Sequence, residues 1–537
     1  MKQLFKYIAI VPVLAVAIAG CKKGLDLAPY TSVPSTEAFS TAAKCLVSLN
    51  GVYDAAQSGA YTDGSVRGYP FGAANIEQGD CRGEDVINVA TFYQITYQAS
   101  YNSTSANCVG MWNALYALIN KANVCIDGFR GAGSAGVLTS TVAAQYEAEC
   151  RFLRAMAHHE LMIHYARPYR DGNGNGIGIP YRGFAVNLPA TVDSVRKLPR
   201  DVADTVYRRI LADLDYCEAN LATQLTGTSA RTVRATKAAA IALKMRVKLH
   251  MGDWAGVITE GNKLIPASIN PLSPTTVVSP IGAWALTATP DGPFTNQTSN
   301  SESIFSVKND AIDNTGVNGS LPSMFASVTV GGRGLVAVSP IIWNNPGWRC
   351  DDTRRSLLYA SGSNANSTSS LNYFTTKYKD VVNRSDYAPQ IRYAEVLLTQ
   401  AEAEARNSGI VSQRAIDLLN TVRNRSIPSP ATNQYTAANF TTVVDLVKAI
   451  LLERRIEFLC EGKRWGDISR LAVDASYTTN GIPAKAVNGA SGIAIYNCGG
   501  TYTPGQGAIA YNDFRFLWPI PADEIIQNPI ITQNPGY

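Results

Sequence analysis

A chain of 537 residues, 46% hydrophobic and 17% charged, holds enough apolar material for one large core or for two to three ordinary domains. Its formal net charge is +5, two of those charges (Lys2 and Lys6) lie in a segment expected to be removed, and the basic residues form no stripe. That composition excludes an electrostatic case for nucleic acid.

The N-terminus comes first in chain order. MKQLFK is a short basic stretch, and YIAIVPVLAVAIAG is an apolar run shorter than the roughly twenty residues that span a bilayer. It reads as an export leader over residues 1–20. The leader ends Ile18-Ala19-Gly20 before Cys21, and I-A-G-C looks like a bacterial lipobox, cut before Cys21 with acylation of its thiol. A plain secretory leader with a chance cysteine is the alternative. Acyl chains, at about 0.8 kcal/mol per buried CH₂, anchor a protein without a transmembrane helix. Residues 21–35 then read as a lipidated tether, with two prolines and no periodic pattern. With Cys21 acylated, nine cysteines remain, so at least one is unpaired within the chain. No C-x-x-C occurs. Cys125, Cys150 and Cys460 fall on apolar positions of helical patterns and read as small buried hydrophobes; no disulfide can be assigned.

Thr36-Glu37-Ala38-Phe39 opens an expected helix to about Ser58. In TFYQITYQASYN (91–102), Tyr93, Tyr97 and Tyr101 recur every four residues, near Asp80, Glu84, Asp85, Asn88 and Asn102. Flat rings beside amides and carboxylates suit a sugar, whose C–H face packs on the ring while its hydroxyls find polar partners. Local loop packing is the other reading. Helices are predicted over Val109–Phe129, Thr141–Tyr165 and Asp201–Leu221 from their apolar stripes. His158, His159 and His164 share one of them, but His159 and His164 stand five residues apart, which does not direct both at one metal. DGNGNG (171–176) matches the first half of a calcium loop, with Arg182 where a bidentate glutamate is needed, so a glycine-rich turn is the main reading. Ser194-Val195-Arg196-Lys197 has S-x-x-K spacing without its companion motifs. An alanine-rich helix from 235 stops at Gly252 and restarts to 265, the pattern of a closely packed helical hairpin.

Residues 267–390 are rich in Ser, Thr, Asn, Gly and Pro with little periodicity, and long irregular segments of this kind are usually functional. Trp284, Trp343 and Trp348 fall there, where no regular element obliges burial. Helices return over Ile391–Asn407, Gln413–Arg425 and Thr442–Leu471; the last stretch, with four prolines, reads as mostly extended. Within it, ERRIEFLCEGKRWGDISR (453–470) sets Glu453, Glu457 and Glu461 on one helical face. Paired carboxylates invite a glycosidase reading. The apolar face of Ala449, Leu452, Ile456 and Leu459, with Arg454, Arg455, Lys463 and Arg464 at hand, favours a structural charge network anchored by Trp465. The fold class is mainly α: helical pairs of tetratricopeptide type (36–266 and 391–537) interrupted by a loop-rich insertion (267–390), as one domain over 36–537.

Taken together, these segments resemble the SusD/RagB family of outer-membrane nutrient-binding lipoproteins. The resemblance rests on Cys21 with CKKGLDLAP, ECRFLRAMAHHELMIHY (149–165), LPRDVADTVYRRILADLDYCEANL (198–221), RATKAAAIALKMRVKLHMGDW (234–254), SESIFSVKND (301–310), IRYAEVLLTQAEAEAR (391–406), EGKRWGDISR, and the closing LWPIPADEI with NPIITQNPGY. It implies a non-catalytic, cofactor-free and metal-free binder, tethered to the outer membrane at the cell surface and acting like a lid over a SusC-like TonB-dependent transporter. The implied ligand is an oligosaccharide, or a peptide as in some relatives. Its ligand aromatics would come from 91–102 and 280–350, making Tyr93, Tyr97, Tyr101, Asn102, Trp284, Trp343 and Trp348 the candidate contacts. One departure is Lys22-Lys23 after Cys21, where surface-exported relatives often carry acids. A glycoside hydrolase using Glu453 or Glu457 is the catalytic alternative.

Overall fold

A computed structural model describes residues 37–59, 66–225 and 230–537. The expected leader, the acylated Cys21 and the tether lie outside the described residues. The longer helices are α1 (Ala42–Gln57), α2 (Ala74–Cys81), α3 (Ala106–Ser134), α4 (Ser140–Tyr165), α5 (Ala203–Asn220), α6 (Lys237–Met251), α7 (Trp254–Gly261), α8 (Tyr393–Ser408), α9 (Gln413–Asn424), α10 (Val443–Glu457) and α11 (Lys463–Leu471). The caps account for several boundaries. Thr41 accepts from the Lys44 amide, so α1 starts only at Ala42 and Glu37–Ser40 form a turn. Thr139, Thr236 and Ser412 cap α4, α6 and α9 in the same way. Gly252, at φ +76°, ends α6, and the Asp253 carboxylate caps α7.

Packing follows chain order: α3 on α4, α4 on α5, α5 on α6, α6 on α7, α7 on α8, and α8 on α9 and α10. This is a stack of helical pairs. Ala238, Ala239, Ala240 and Ala242 are buried along α6 and let its neighbours approach closely.

Strand pairing exceeds what the sequence suggests. β1 (Val86–Asn88) pairs antiparallel with β3 (Val336–Val338), β2 (Ser303–Val307) with β6 (Ala388–Arg392), β4 (Tyr359–Asn364) with β5 (Ser367–Thr375), and β7 (Gly481–Ile482) with β8 (Ile509–Ala510). The irregular half therefore draws on residues before α3 and after α11 as well as on the insertion. A disulfide, Cys350–Cys498, ties two of those stretches together; the other seven described cysteines are buried thiols. The closing stretch is extended except for a short helix at Ala522–Gln527.

The helix expected over 442–471 is two helices. Cys460 (φ +65°) and Gly462 (φ +75°) break it. The carbonyls of Glu457 and Leu459 turn to accept from Lys377 Nζ at 3.0 and 2.8 Å, and that of Cys460 accepts from Tyr378 Oη at 2.9 Å. Gly462 also lies against α2, where a Cβ would meet Ile76 Cα at 2.5 Å. Glycine is required here twice over, for its φ and for the contact.

Candidate functional site

The α10–α11 joint concentrates the charge of 453–470. Glu453, Glu457 and Glu461 are only 4%, 2% and 2% exposed. Glu453 accepts from Arg354 at 2.6 Å; Glu457 accepts from Arg354 (3.0 Å), Arg392 (2.9 Å) and Arg425 (2.5 Å); Glu461 accepts from Lys377 (2.7 Å) and Arg392 (2.8 Å). Burial raises the Glu453 carboxyl above its ordinary range, because Arg354 and Arg423 do not compensate. At Glu457 the same burial is outweighed by Arg425, Arg392 and Arg354, which hold it well below that range. The three carboxylates are spent on protein cations, and no face is left for a substrate.

The cations differ from those nearest in sequence. Arg454 pairs with Asp467 (2.9 Å) rather than with Glu457, Arg455 with Asp85, Arg464 with Glu84, and Lys463 donates to the Gln390 carbonyl. The glutamates are instead neutralised from the insertion, by Arg354 and Lys377, from β6 by Arg392, and by Arg425 just beyond α9. Trp465 is buried at the joint with the Arg82 guanidinium 3.4 Å from its ring centroid.

The aromatic residues expected to form a ligand platform lie one layer too deep. Tyr93 is buried and donates its hydroxyl to Glu77. Tyr97 is fully covered, its hydroxyl donating to the Ala486 carbonyl at 2.7 Å and its ring lying 4.6 Å from the Lys485 ammonium. Tyr101 donates to the Arg515 carbonyl and packs its edge on Trp518. Asn102 is exposed, but its oxygen accepts from the amide and hydroxyl of Thr104 in the turn before α3. Trp284 is buried under Arg231, at 4.4 Å, next to the stretch where Gln224 and Arg231 donate to the Gly282 carbonyl. Trp343 and Trp348 do come together, at 5.5 Å, but Arg355 covers both, and Tyr373 stacks on Trp343 at 3.8 Å. None of the six rings offers a face. The physical reason is that a period-four stripe marks the side of a segment that faces the core, and an irregular insertion needs large apolar anchors as much as a helix does.

Above this floor lies a second, half-buried layer: Phe92 on the edge of Tyr93, and Tyr373 and Tyr496 on Trp343, with Tyr502 against the small apolar cluster of Ile87, Val89 and Phe374. Phe92 has the most varied surroundings. The Arg333 and Arg67 guanidiniums lie 5.1 and 5.9 Å from its ring centroid, and Arg333 is fixed by Asn318 at 2.7 Å. Val66 and Val317, exposed, adjoin Arg67 and Asn318. Behind Phe92, Tyr93 leans on Glu77, whose carboxyl is pushed up to about 8 by burial despite Tyr93 and Arg333. Phe92 thus presents a half-buried ring with two guanidiniums over it, one of them fixed by an amide. Sequence reasoning passed over Phe92 because it is off the tyrosine stripe, and being off the stripe is what leaves it at the surface.

The other motifs are structural. His158 stacks on Tyr181 at 4.1 Å, His159 meets His250 edge to face, and His164 stacks on Trp518 at 4.4 Å. Burial pushes His158 and His159 down to about 3, so both are neutral imidazoles at neutral pH. The 171–176 stretch is a tight turn with Gly172 and Gly174 at φ +81° and +85°, and Asp171 accepts from the Tyr511 hydroxyl. Ser194 donates to the Ala190 carbonyl of its own helix. Among the described residues no group of three His, Cys, Asp or Glu is placed to hold a metal ion. Among them, too, no helix is long and apolar enough to cross a membrane.

Comparisons with known proteins follow the same lines. The profile of the SusD family matches residues 357–537, and that of a family described as "Starch-binding associating with outer membrane" matches residues 25–249. SusD-like protein P2 of Formosa agariphila is 26% identical over 471 residues, 79% of this chain and 80% of its own. The crystal structure of a SusD superfamily protein from Bacteroides fragilis superposes with a TM-score of 0.72 at 25% identity, covering 92% of this chain and 99% of that one. Surface glycan-binding protein A from Bacteroides uniformis superposes with a TM-score of 0.66 at 19% identity, covering 92% and 99%. Profiles matching both ends of the chain, and a shared fold across nearly all of it, lead to one assignment: the chain belongs to the SusD-like family.

Proposed function

We propose that the protein is an outer-membrane lipoprotein, anchored through Cys21 and exposed at the cell surface, that captures an oligosaccharide and passes it to a SusC-like TonB-dependent transporter. The observation that carries the reading is the Phe92 surface. The exposed part of this half-buried ring would take the C–H face of a pyranose, with the guanidiniums beside it as partners for hydroxyls. The likeness in fold to a surface glycan-binding protein supports the same ligand class. The burial of Glu453, Glu457 and Glu461 supports a binder over a hydrolase.

Calorimetric titration of residues 22–537 with a panel of oligosaccharides and peptides tests it, with products assayed in parallel. Saturable binding of one glycan without turnover is expected. Phe92→Ala should weaken it by about 2 kcal/mol, about thirtyfold, as for a central aromatic anchor, with the melting temperature unchanged. Binding of peptides alone, or release of sugar products, would overturn the reading.

A further inference from the structure

At the joint, α10, α11, the loop after α11 and Asn345 of the insertion enclose a groove of about 430 Å³. Its floor is apolar, from Leu451 and Ile468, and Tyr477 of the loop, half-buried, forms part of its wall. Its charged lining is Lys448, Arg455 and Arg464, with no carboxylate among the described residues that line it.

Both guanidiniums are held from behind. Arg455 gives Nε and Nη2 to Asp85 at 2.9 and 2.5 Å, and Arg464 gives the same two nitrogens to Glu84 at 2.9 and 2.5 Å. Each bidentate pair uses one edge of the guanidinium and fixes its plane. Among the described residues neither Nη1 has a hydrogen-bond acceptor, and neither is among the buried donors left without a partner. Each therefore keeps a solvent-accessible N–H pair in a locked orientation. Lys448 is exposed on the same groove and, among the described residues, makes no ion pair. Two fixed guanidiniums, an exposed ammonium and an apolar floor with one aromatic wall have the make-up of an oxyanion site, in a space large enough for a sugar ring.

We propose that this groove is a second saccharide site, selective for a sugar that carries an oxyanion, either a uronate carboxylate or a sulfate ester. The proposal rests on the carbohydrate reading above but uses none of the Phe92 residues. It is tested by titrating the wild-type protein with a galacturonate trisaccharide, a sulfated galactose disaccharide and neutral maltotriose. The variants are Lys448→Glu, Ser476→Trp, which fills the groove from an exposed lining position, and Phe92→Ala, with melting curves for each. An acidic probe should bind in a salt-sensitive manner, bind about tenfold more weakly to Lys448→Glu, be blocked by Ser476→Trp, and be indifferent to Phe92→Ala. Which acidic probe binds separates the carboxylate from the sulfate. Acidic binding unchanged in both groove variants, or absent while maltotriose binds, would overturn the groove and leave the first site standing. Acidic binding lost only in Phe92→Ala would do the same. Failure of every saccharide would overturn both sites.

Discussion

Replacing Glu457 by glutamine keeps its shape and removes its charge, and the structure sets the cost. Three guanidiniums donate to that carboxylate, from Arg354, Arg392 and Arg425, and the site is closed to water. Taking away one partner of a buried charge network typically costs about 3–5 kcal/mol, because the remaining charges stay desolvated. With an unfolding entropy of about 2.1 cal/mol/K per residue, the entropy for a chain of this size is near 1 kcal/mol/K, so the melting temperature should fall by about 4 °C. Glu453 is the internal control. It holds only Arg354, and burial already favours its neutral form, so Glu453→Gln should cost about 1 kcal/mol or less. The pH dependence sharpens the comparison. The Glu457 carboxyl binds its proton less readily in the folded state, so its contribution is complete above about pH 4.3 and erodes as the pH falls below that. The gap between Glu457→Gln and wild type should therefore narrow in acid. Scanning calorimetry of the three proteins from pH 7 to pH 3 is the assay. Equal losses in the two variants, or a larger loss for Glu453→Gln, would refute the account of the network. Loss of a glycosidase turnover with folding intact would restore the catalytic reading.

Two further outcomes follow from groups elsewhere. Burial raises the Asp80 carboxyl to about 8, against a lowering contact with the Gly462 amide, so the proton is held more firmly in the folded state. Its contribution is present below about pH 3.9 and is lost as the pH rises toward 8. Asp80→Asn should thus gain stability over wild type progressively from pH 4 to pH 8 in thermal melts; a constant offset would contradict it. Reducing Cys350–Cys498, or replacing Cys350 by serine, should lower unfolding free energy by about 2–4 kcal/mol and loosen the Trp343–Tyr373–Tyr496 cluster beside it. Denaturant melts with and without reductant, followed by tryptophan fluorescence, measure both effects, and coincident curves would refute them.

Where repeated local signals acted, the sequence was readable. The capping threonines, the alanines of α6 and Gly252 each act within a few residues, and α4, α5, α6, α8 and α9 lie within about two positions of their expected bounds, whereas α1 starts at Ala42 rather than Thr36 and α3 runs to Ser134 rather than Phe129. The segment Thr442–Leu471 failed because what breaks it is not local: Lys377 and Tyr378 draw its carbonyls out from some eighty positions away, and α2 presses against Gly462. The glutamate triad shows the same limit at the level of partners. Its structural character was legible in the apolar residues around it, whereas the identity of Arg354, Arg392 and Arg425 as counterions depends on the fold. For the aromatic residues expected to meet ligand, spacing was misleading in a definite way. Periodicity selected Tyr93, Tyr97 and Tyr101, which are core, and tryptophan content selected Trp343 and Trp348, which support Tyr373. The half-buried residues, Phe92 and Tyr373, are neighbours of those in sequence or in space, one layer nearer the surface.

The buried charges also bear on how a shallow, polar surface can bind at all. A saccharide offers little apolar area, so affinity depends on donors and rings that are already in place before the ligand arrives. The Phe92 surface is built from irregular chain, which local hydrogen bonding alone does not hold rigid. The network corrects this from below. Arg354 and Lys377 reach from the insertion, and Arg392 from its last strand, to carboxylates fixed on α10 and at the joint, and each makes directional contacts that an apolar interface would lack. The insertion is thereby fixed in orientation as well as adhered. On this view Glu453, Glu457 and Glu461 would serve the proposed Phe92 site without touching ligand, by holding the segment that carries Arg333 and Tyr373 in one arrangement on the helical stack.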